Sequence, residues 1–292
     1  MLSALHRVCC PLYSAPVKEI PYLELGDGPT LHFAHANGYP PGTYRQFLAH
    51  LAGHYRVLAM EQRPLWPGEK PEQLHSWHQL AGDLIAFCDA HGLRDIVGAG
   101  HSLGAVVTMI AALRRPELFC QLVLIEPVFL PPPLLAAAAQ YPEKAFEIPL
   151  VYIARKRRNR WPGRGEAFAH LREKEIFAGF SDAALQDYVT YGLADDRRGV
   201  RLRFSRNWEA RFYGTPPLEV WEQIPQIEHP TLAVRGANTN TLLEPAWQLW
   251  QELQPAATFV EVPITGHLLT MEEPEKLATI VTTHLENVRA CG

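Results

Sequence analysis

The chain of 292 residues contains no run of eighteen or more apolar residues, which argues against a membrane-spanning helix. Cysteine is scarce: Cys9, Cys10, Cys88, Cys120 and Cys291 are the only five. Their number is odd, their spacing matches no zinc site, and the adjacent pair Cys9-Cys10 is badly placed for a mutual disulfide. A reducing, cytoplasmic compartment is the simplest reading of that set. Neither charge sign is in large excess. The formal net charge of −4 gives no global pull toward nucleic acid or anionic lipid. In the opening stretch "MLSALHRVCCPLYSAP" Arg7 interrupts any apolar segment, so a secretory signal is not expected there. His75 and His78 stand three apart, but no carboxylate or cysteine pattern supports them as metal ligands. No metal and no cofactor is therefore expected.

What the chain does contain is an alternation of short apolar runs with helical patterns. "TLHFA" (30–34), "YRVLAM" (55–60), "DIVGA" (95–99), "LVLI" (122–125), "LAV" (232–234) and "TFVEV" (258–262) have the length and β-branched content of buried parallel strands. Between them, Ser76 and Gln79 form a capping-box pattern, and Trp77, Leu80, Leu84 and Phe87 recur at helical spacing before Gly92. Near the end, Pro274 opens a stripe of Leu277, Ile280, Val281 and Leu285. Strand and helix in alternation predict an α/β fold with a doubly wound, mostly parallel sheet. The alternation breaks once, across 128–227, where helical patterns follow Pro131-Pro132-Pro133 with little strand signal. The expected organisation is a core of residues 1–127 and 228–292 interrupted by a mostly helical insertion.

Chemistry concentrates in one motif. Gly100-His101-Ser102-Leu103-Gly104 lies between the strand "DIVGA" and the apolar helix "AVVTMIAAL". A sharp strand-to-helix turn holds a serine in a strained backbone and exposes its hydroxyl. Side chains two positions away on either side would collide there, and glycine removes them. A nucleophilic serine needs a base. His267, after Gly266 in "VPITGHLLTMEEPE", falls in a loop after the last strand, at the sheet edge where open α/β folds place ligands. His101 abuts the serine and reads as a packing residue of the turn. Acyl transfer also needs oxyanion donors. The backbone N–H groups of Asn37, in "HANGYPPGTY", and of Leu103 are the candidates.

Taken in chain order, "HANGYPPGTY", "LAMEQRP", "GAGHSLGAVV", "LVLIEPV", "TLAVRGANTNTL" and "ITGHLLTMEEPE" resemble the α/β-hydrolase superfamily. The likeness covers the core on both sides of the insertion. It implies an α/β-hydrolase fold, a nucleophile–acid–histidine triad, a cap over the pocket, and hydrolysis without a cofactor. Two departures stand out. Ala36 occupies a place where the superfamily often has glycine. Asn240 occupies the place where it commonly has aspartate. The resemblance implies another source for the acid: Glu126, at the end of the strand after the nucleophile strand, where some dehalogenases carry glutamate. Asn240 as a neutral partner of the histidine, and Glu244 as a third candidate, remain open at this stage.

The insertion holds 15 of the chain's 29 aromatic residues in about a third of its length. As a group they favour a dry pocket for an apolar acyl or alcohol moiety, although any single one is more often packing. The basic run Arg155-Lys156-Arg157-Arg158, with Arg160, reads first as a solvated helix face and second as an anion site. The expected function is hydrolysis of carboxylic esters by Ser102, His267 and Glu126, with a small, mostly apolar molecule as partner and no nucleic acid. Lactones, thioesters, carbon–carbon bonds and acyl transfer use the same machinery. A non-catalytic ligand-binding protein would account for Asn240, but not for Ser102, both glycines and His267 together.

Overall fold

A computed structural model describes residues 20–288. Cys9, Cys10, Cys291 and the N-terminal stretch considered above lie outside them. The strands, in chain order, are β1 (Tyr22–Leu25), β2 (Thr30–Ala34), β3 (Arg56–Met60), β4 (Ile96–His101), β5 (Phe119–Ile125), β6 (Arg160–Trp161), β7 (Leu193–Asp196), β8 (Gly199–Leu202), β9 (Thr231–Gly236) and β10 (Thr258–Val262). Seven form one sheet in the order β1-β3-β2-β4-β5-β9-β10. Only the edge strand β1 is antiparallel to its neighbour. The chain thus has the α/β-hydrolase fold.

The period of two along each strand divides the core into two layers. Val97 and Ala99 of β4, Val123 and Ile125 of β5, and Leu232 and Val234 of β9 face one layer. Ile96, Leu122, Leu124 and Ala233 face the other. Helices α1 (Arg45–Leu51), α2 (His78–Ala90) and α3 (Leu103–Arg114) interleave with the first strands. Residues Leu103 to Ala112 of α3 are all buried. An apolar helix of that kind is covered on every side, so its first turn is a rigid support. Between β5 and β9 run α4 (Pro132–Gln140), α5 (Pro149–Lys156), α6 (Arg164–Arg172), α7 (Asp182–Tyr191), α8 (Arg206–Tyr213) and α9 (Val220–Gln223). Helices α10 (Glu244–Leu253), α11 (Leu269–Glu272) and α12 (Pro274–Asn287) complete the chain, and α12 buries Leu277, Val281 and Leu285.

Two local expectations need amendment. The insertion also contains a small antiparallel sheet, β6-β8-β7, whose strands are too short for their alternation to stand out in sequence. At the start of α2, Gln79 Oε1 accepts from the N–H groups of His75 and Ser76, but Ser76 Oγ caps His78 instead of Gln79. Only half of the capping box forms. Among the described cysteines Cys88 is free and buried.

Candidate active site

Ser102 sits between β4 and α3 with φ 57° and ψ −119°, a backbone conformation that L-residues rarely adopt. Its two glycine neighbours make this possible. A Cβ on Gly100 would lie 2.5 Å from the Gly104 carbonyl carbon, and one on Gly104 would lie 2.5 Å from that of Ala34. Ser102 N donates to Ile125 O at 2.9 Å, which ties the turn to the neighbouring strand.

The structure brings Ser102, His267 and Glu126 into one line. Ser102 Oγ is 3.0 Å from His267 Nε2, and His267 Nδ1 is 2.9 Å from Glu126 Oε2. These contacts assign the proton to Nδ1, leaving Nε2 to accept from the serine hydroxyl. Glu126 is fully buried, and its carboxylate is provided with donors. Oε1 accepts from Gly236 N at 2.7 Å, and Oε2 accepts from Thr239 Oγ1 at 2.6 Å. Glu126 itself adopts φ 48°, which turns its side chain off the end of β5 toward the β9 loop. Gly236 also lets the loop that carries His267 pack against the end of β9, because a Cβ there would lie 2.5 Å from Thr265 O.

Asn240 does not join this line. It is exposed, and its Oδ1 accepts from the hydroxyl of its neighbour Thr241. Glu244 is also elsewhere, in an ion pair with Arg235. The β9 loop is anchored through Asn238, whose N–H donates to Thr265 O and whose Nδ2 donates to Ile264 O. That register turns Thr239 inward and Asn240 outward. Nothing in the sequence marks Thr239 as the residue that faces Glu126.

Leu103 follows the serine as the first residue of α3, and Asn37 lies in the loop after β2, the strand that pairs with β4. Among the described residues neither backbone N–H donates to a protein acceptor. Gly38 takes φ 86°, which forms the turn, whereas Ala36 has no positive φ, so its methyl group is accommodated. Below them runs a buried chain of hydrogen bonds. Ala36 N donates to Tyr44 Oη at 3.0 Å, Tyr44 Oη lies 2.9 Å from His101 Nδ1, and His101 Nε2 lies 2.8 Å from His267 O. The directions agree when His101 carries its proton on Nε2 and gives it to the carbonyl of His267. Burial first, and the neighbouring His267 second, hold His101 well below its ordinary pKa, so it stays neutral. The expected packing residue thus also links the loop after β2 to the histidine loop. Glu272 secures that histidine loop from the other side, with Oε2 accepting from Gly266 N at 2.6 Å.

Many of the insertion's aromatics are packing residues. Trp161 and Tyr188 belong to one core layer, and Phe204, Trp208 and Phe212 to the other. A surface groove lined by Pro71, Glu72, Phe146, Arg155, Asn207 and Arg211 includes none of the aligned residues. Among the described residues no group of His, Cys, Asp and Glu is arranged to hold a metal ion, and no helix is long and apolar enough to cross a membrane.

The model of the alpha/beta hydrolase family matches residues 33–280, and the chain belongs to that family. It is 26% identical over 274 residues to the RutD protein of Stutzerimonas stutzeri (strain A1501), covering 91% of this chain and 94% of that one. It is 24% identical over 234 residues to the mouse sn-1-specific diacylglycerol lipase ABHD11, covering 79% of this chain and 71% of the lipase. Among solved structures, E-2-(acetamidomethylene)succinate hydrolase superposes with a TM-score of 0.76 at 20% identity, covering 91% of this chain and 94% of that one. At that identity the likeness speaks for the fold alone. The homologues are hydrolases.

Proposed function

We propose that the chain is a serine hydrolase that cleaves carboxylic esters with a mostly apolar acyl or alcohol part through an acyl-enzyme. One observation carries the reading: the hydrogen-bonded line Ser102 Oγ–His267 Nε2 and His267 Nδ1–Glu126 Oε2, at 3.0 and 2.9 Å. In this reading His267 takes the Ser102 proton as the oxygen attacks the ester carbonyl. Glu126 fixes the tautomer and stabilises the imidazolium that forms. The carbonyl oxygen gathers negative charge between the N–H groups of Asn37 and Leu103, the latter in the first turn of α3, where the helix dipole favours an anion. His267 then returns the proton to the leaving alcohol, and water repeats the sequence on the acyl-enzyme. No step calls on a metal or an organic cofactor.

The insertion 128–227 serves as the cap of the pocket. Support comes from its polar ties to the core beside the site. Asn37 Nδ2 donates to Glu209 O at 3.3 Å, and Arg45 and Gln46 both donate to the carboxylate of Asp187.

Reaction with an organophosphonate probe tests the reading. One equivalent is expected on Ser102 and none on Ser102→Ala. Labelling that survives the substitution would move the nucleophile elsewhere. Absence of labelling and of turnover across p-nitrophenyl esters of increasing chain length would favour a binding protein on this fold.

A further inference from the structure

The outside of the insertion exposes apolar side chains in one stretch of chain. Among the described residues, six of the twelve exposed large hydrophobic side chains fall within residues 134–153, a concentration that single scattered surface residues do not produce. Helix α4 carries no charged residue from Pro132 to Gln140, and only Leu135 of it is buried. Helix α5 packs inward through Val151 and Ala154, which meet Ala210 of α8. The rest of its surface presents Leu150, Tyr152 and Ile153, which are 53, 63 and 60% exposed. The turn Pro142–Phe146 lies between the two helices in the chain, and its Phe146 ring rests beside Arg211 and Gly214 at the same end of α8. Turn and α5 thus share one support.

The basic run at the end of α5 borders this face, and the structure divides it. Arg157 turns inward, with Nε 3.0 Å from Glu209 Oε2, and Arg160 pairs with Asp196. Arg155, Lys156 and Arg158 are exposed and, like Lys144 in the turn, have no ion-pair partner among the described residues. Lys156 Nζ stands 5.7 Å from the centre of the Tyr152 ring, and Lys144 Nζ 4.7 Å from that of Tyr141. Each ammonium is thereby set beside an exposed aromatic. Glu143 and Glu147 are the acidic residues of the stretch, outnumbered by these four cations. A protein partner would have to place carboxylates against the cations at fixed positions. A second copy docking through the same patch would meet them with its own. A fluid anionic bilayer satisfies both features: apolar and aromatic side chains enter the headgroup boundary, and lysine and arginine stay level with the phosphates. The net charge of −4 belongs to the whole chain, whereas this attraction acts locally, within a Debye length of about 8 Å. We propose that the α4–α5 face docks the protein reversibly onto an anionic lipid surface, on which it lies without crossing.

Flotation of the full chain with lipid vesicles tests this. Vesicles of phosphatidylcholine and phosphatidylserine in equal parts should carry the protein upward, and vesicles of phosphatidylcholine alone should carry at least about tenfold less. Arg155→Gln/Lys156→Gln should weaken partitioning onto the anionic vesicles by about tenfold or more. Leu150→Ser/Ile153→Ser should weaken it by about tenfold through loss of the inserted side chains. All four side chains are exposed, so the substitutions leave the fold intact, which circular dichroism checks. No flotation of the parent with anionic vesicles, or equal flotation of the parent and both double variants, overturns the proposal. So does concentration-dependent dimerisation in sedimentation velocity that Leu150→Ser/Ile153→Ser abolishes, since the face would then belong to a second copy. Flotation is read without turnover, so its result is separate from that of the ester reading.

Discussion

Thr239 Oγ1 donates to Glu126 Oε2 at 2.6 Å, the same oxygen that faces His267 Nδ1. The residue that completes the acid's surroundings is therefore one position before the asparagine that drew attention in the sequence. A hydroxyl donor to a buried carboxylate holds it aimed at its partner, and a hydrogen bond to a charged group is worth about 1.5–3 kcal/mol. Thr239→Val should lower kcat by about tenfold, and Thr239→Ser should retain most of it. Asn240→Ala should change kcat by less than about twofold. Equal losses in Thr239→Val and Asn240→Ala would assign the loop a different role.

The contrast between Thr239 and Asn240 shows where sequence reading stops. The central strands were legible because both faces are buried, so short apolar runs mark them: Ile96-Val97 in β4, Leu122 to Ile125 in β5 and Leu232 to Val234 in β9. The edge strand β1 was not, since its residues are half exposed and its alternation is four residues long. The turn at Ser102 was legible because only glycine fits at 100 and 104. Which side chain of the β9 loop points inward depends on Asn238 bonding to residues 264 and 265, a tertiary constraint without a local signature. The same holds for Arg157, where only the end of α5 decides which of four consecutive basic residues faces the interior.

The chain Ala36–Tyr44–His101–His267 ties the loop after β2 to the loop that carries His267 through buried atoms. Removing the Tyr44 hydroxyl leaves Ala36 N–H and His101 Nδ1 unsatisfied, each at a cost of about 1–3 kcal/mol. Tyr44→Phe should lower Tm by several degrees and kcat by about three- to tenfold, with a smaller effect on KM. A variant that loses stability while keeping kcat would show that the chain is purely structural.

Glycine substitutions separate steric need from mere tolerance. Gly104→Ala would press a methyl group into the backbone at Ala34 and should cost more than about 4 kcal/mol or abolish folding. Gly165, inside α6, has nothing within 4 Å of the added carbon, so Gly165→Ala should stabilise by about 0.5–1 kcal/mol. Denaturant titration of both variants reads the difference, and similar values for the two would contradict the packing described.

Buried histidines set an acid limit on stability. Burial lowers His32 to about 3 and His35 to about 4, and His32 has no hydrogen-bond partner on either ring nitrogen. These rings stay neutral in the folded chain, while the unfolded chain takes up protons as pH falls through about 6.5. The unfolded state then binds more protons, so stability falls from about pH 6.5 down toward the folded values. Each ring contributes up to about 1.4 kcal/mol per pH unit. His32→Leu should be as stable as the parent or more so at pH 7, and should lose less stability between pH 7 and pH 5. Identical losses in parent and variant would remove His32 from this account.

The central claim is that Glu126 supplies the triad acid, and turnover of Glu126→Gln near neutral pH measures it most directly. In a serine protease the corresponding acid-to-amide exchange costs about 10⁴ in turnover. Here Glu126→Gln, shown to be folded by circular dichroism, should lose at least about a hundredfold in kcat, while Asn240→Asp in the parent background should gain little. A Glu126→Gln enzyme of near-parent activity, together with a strong gain in Asn240→Asp, would contradict the claim and return the acid to the loop after β9.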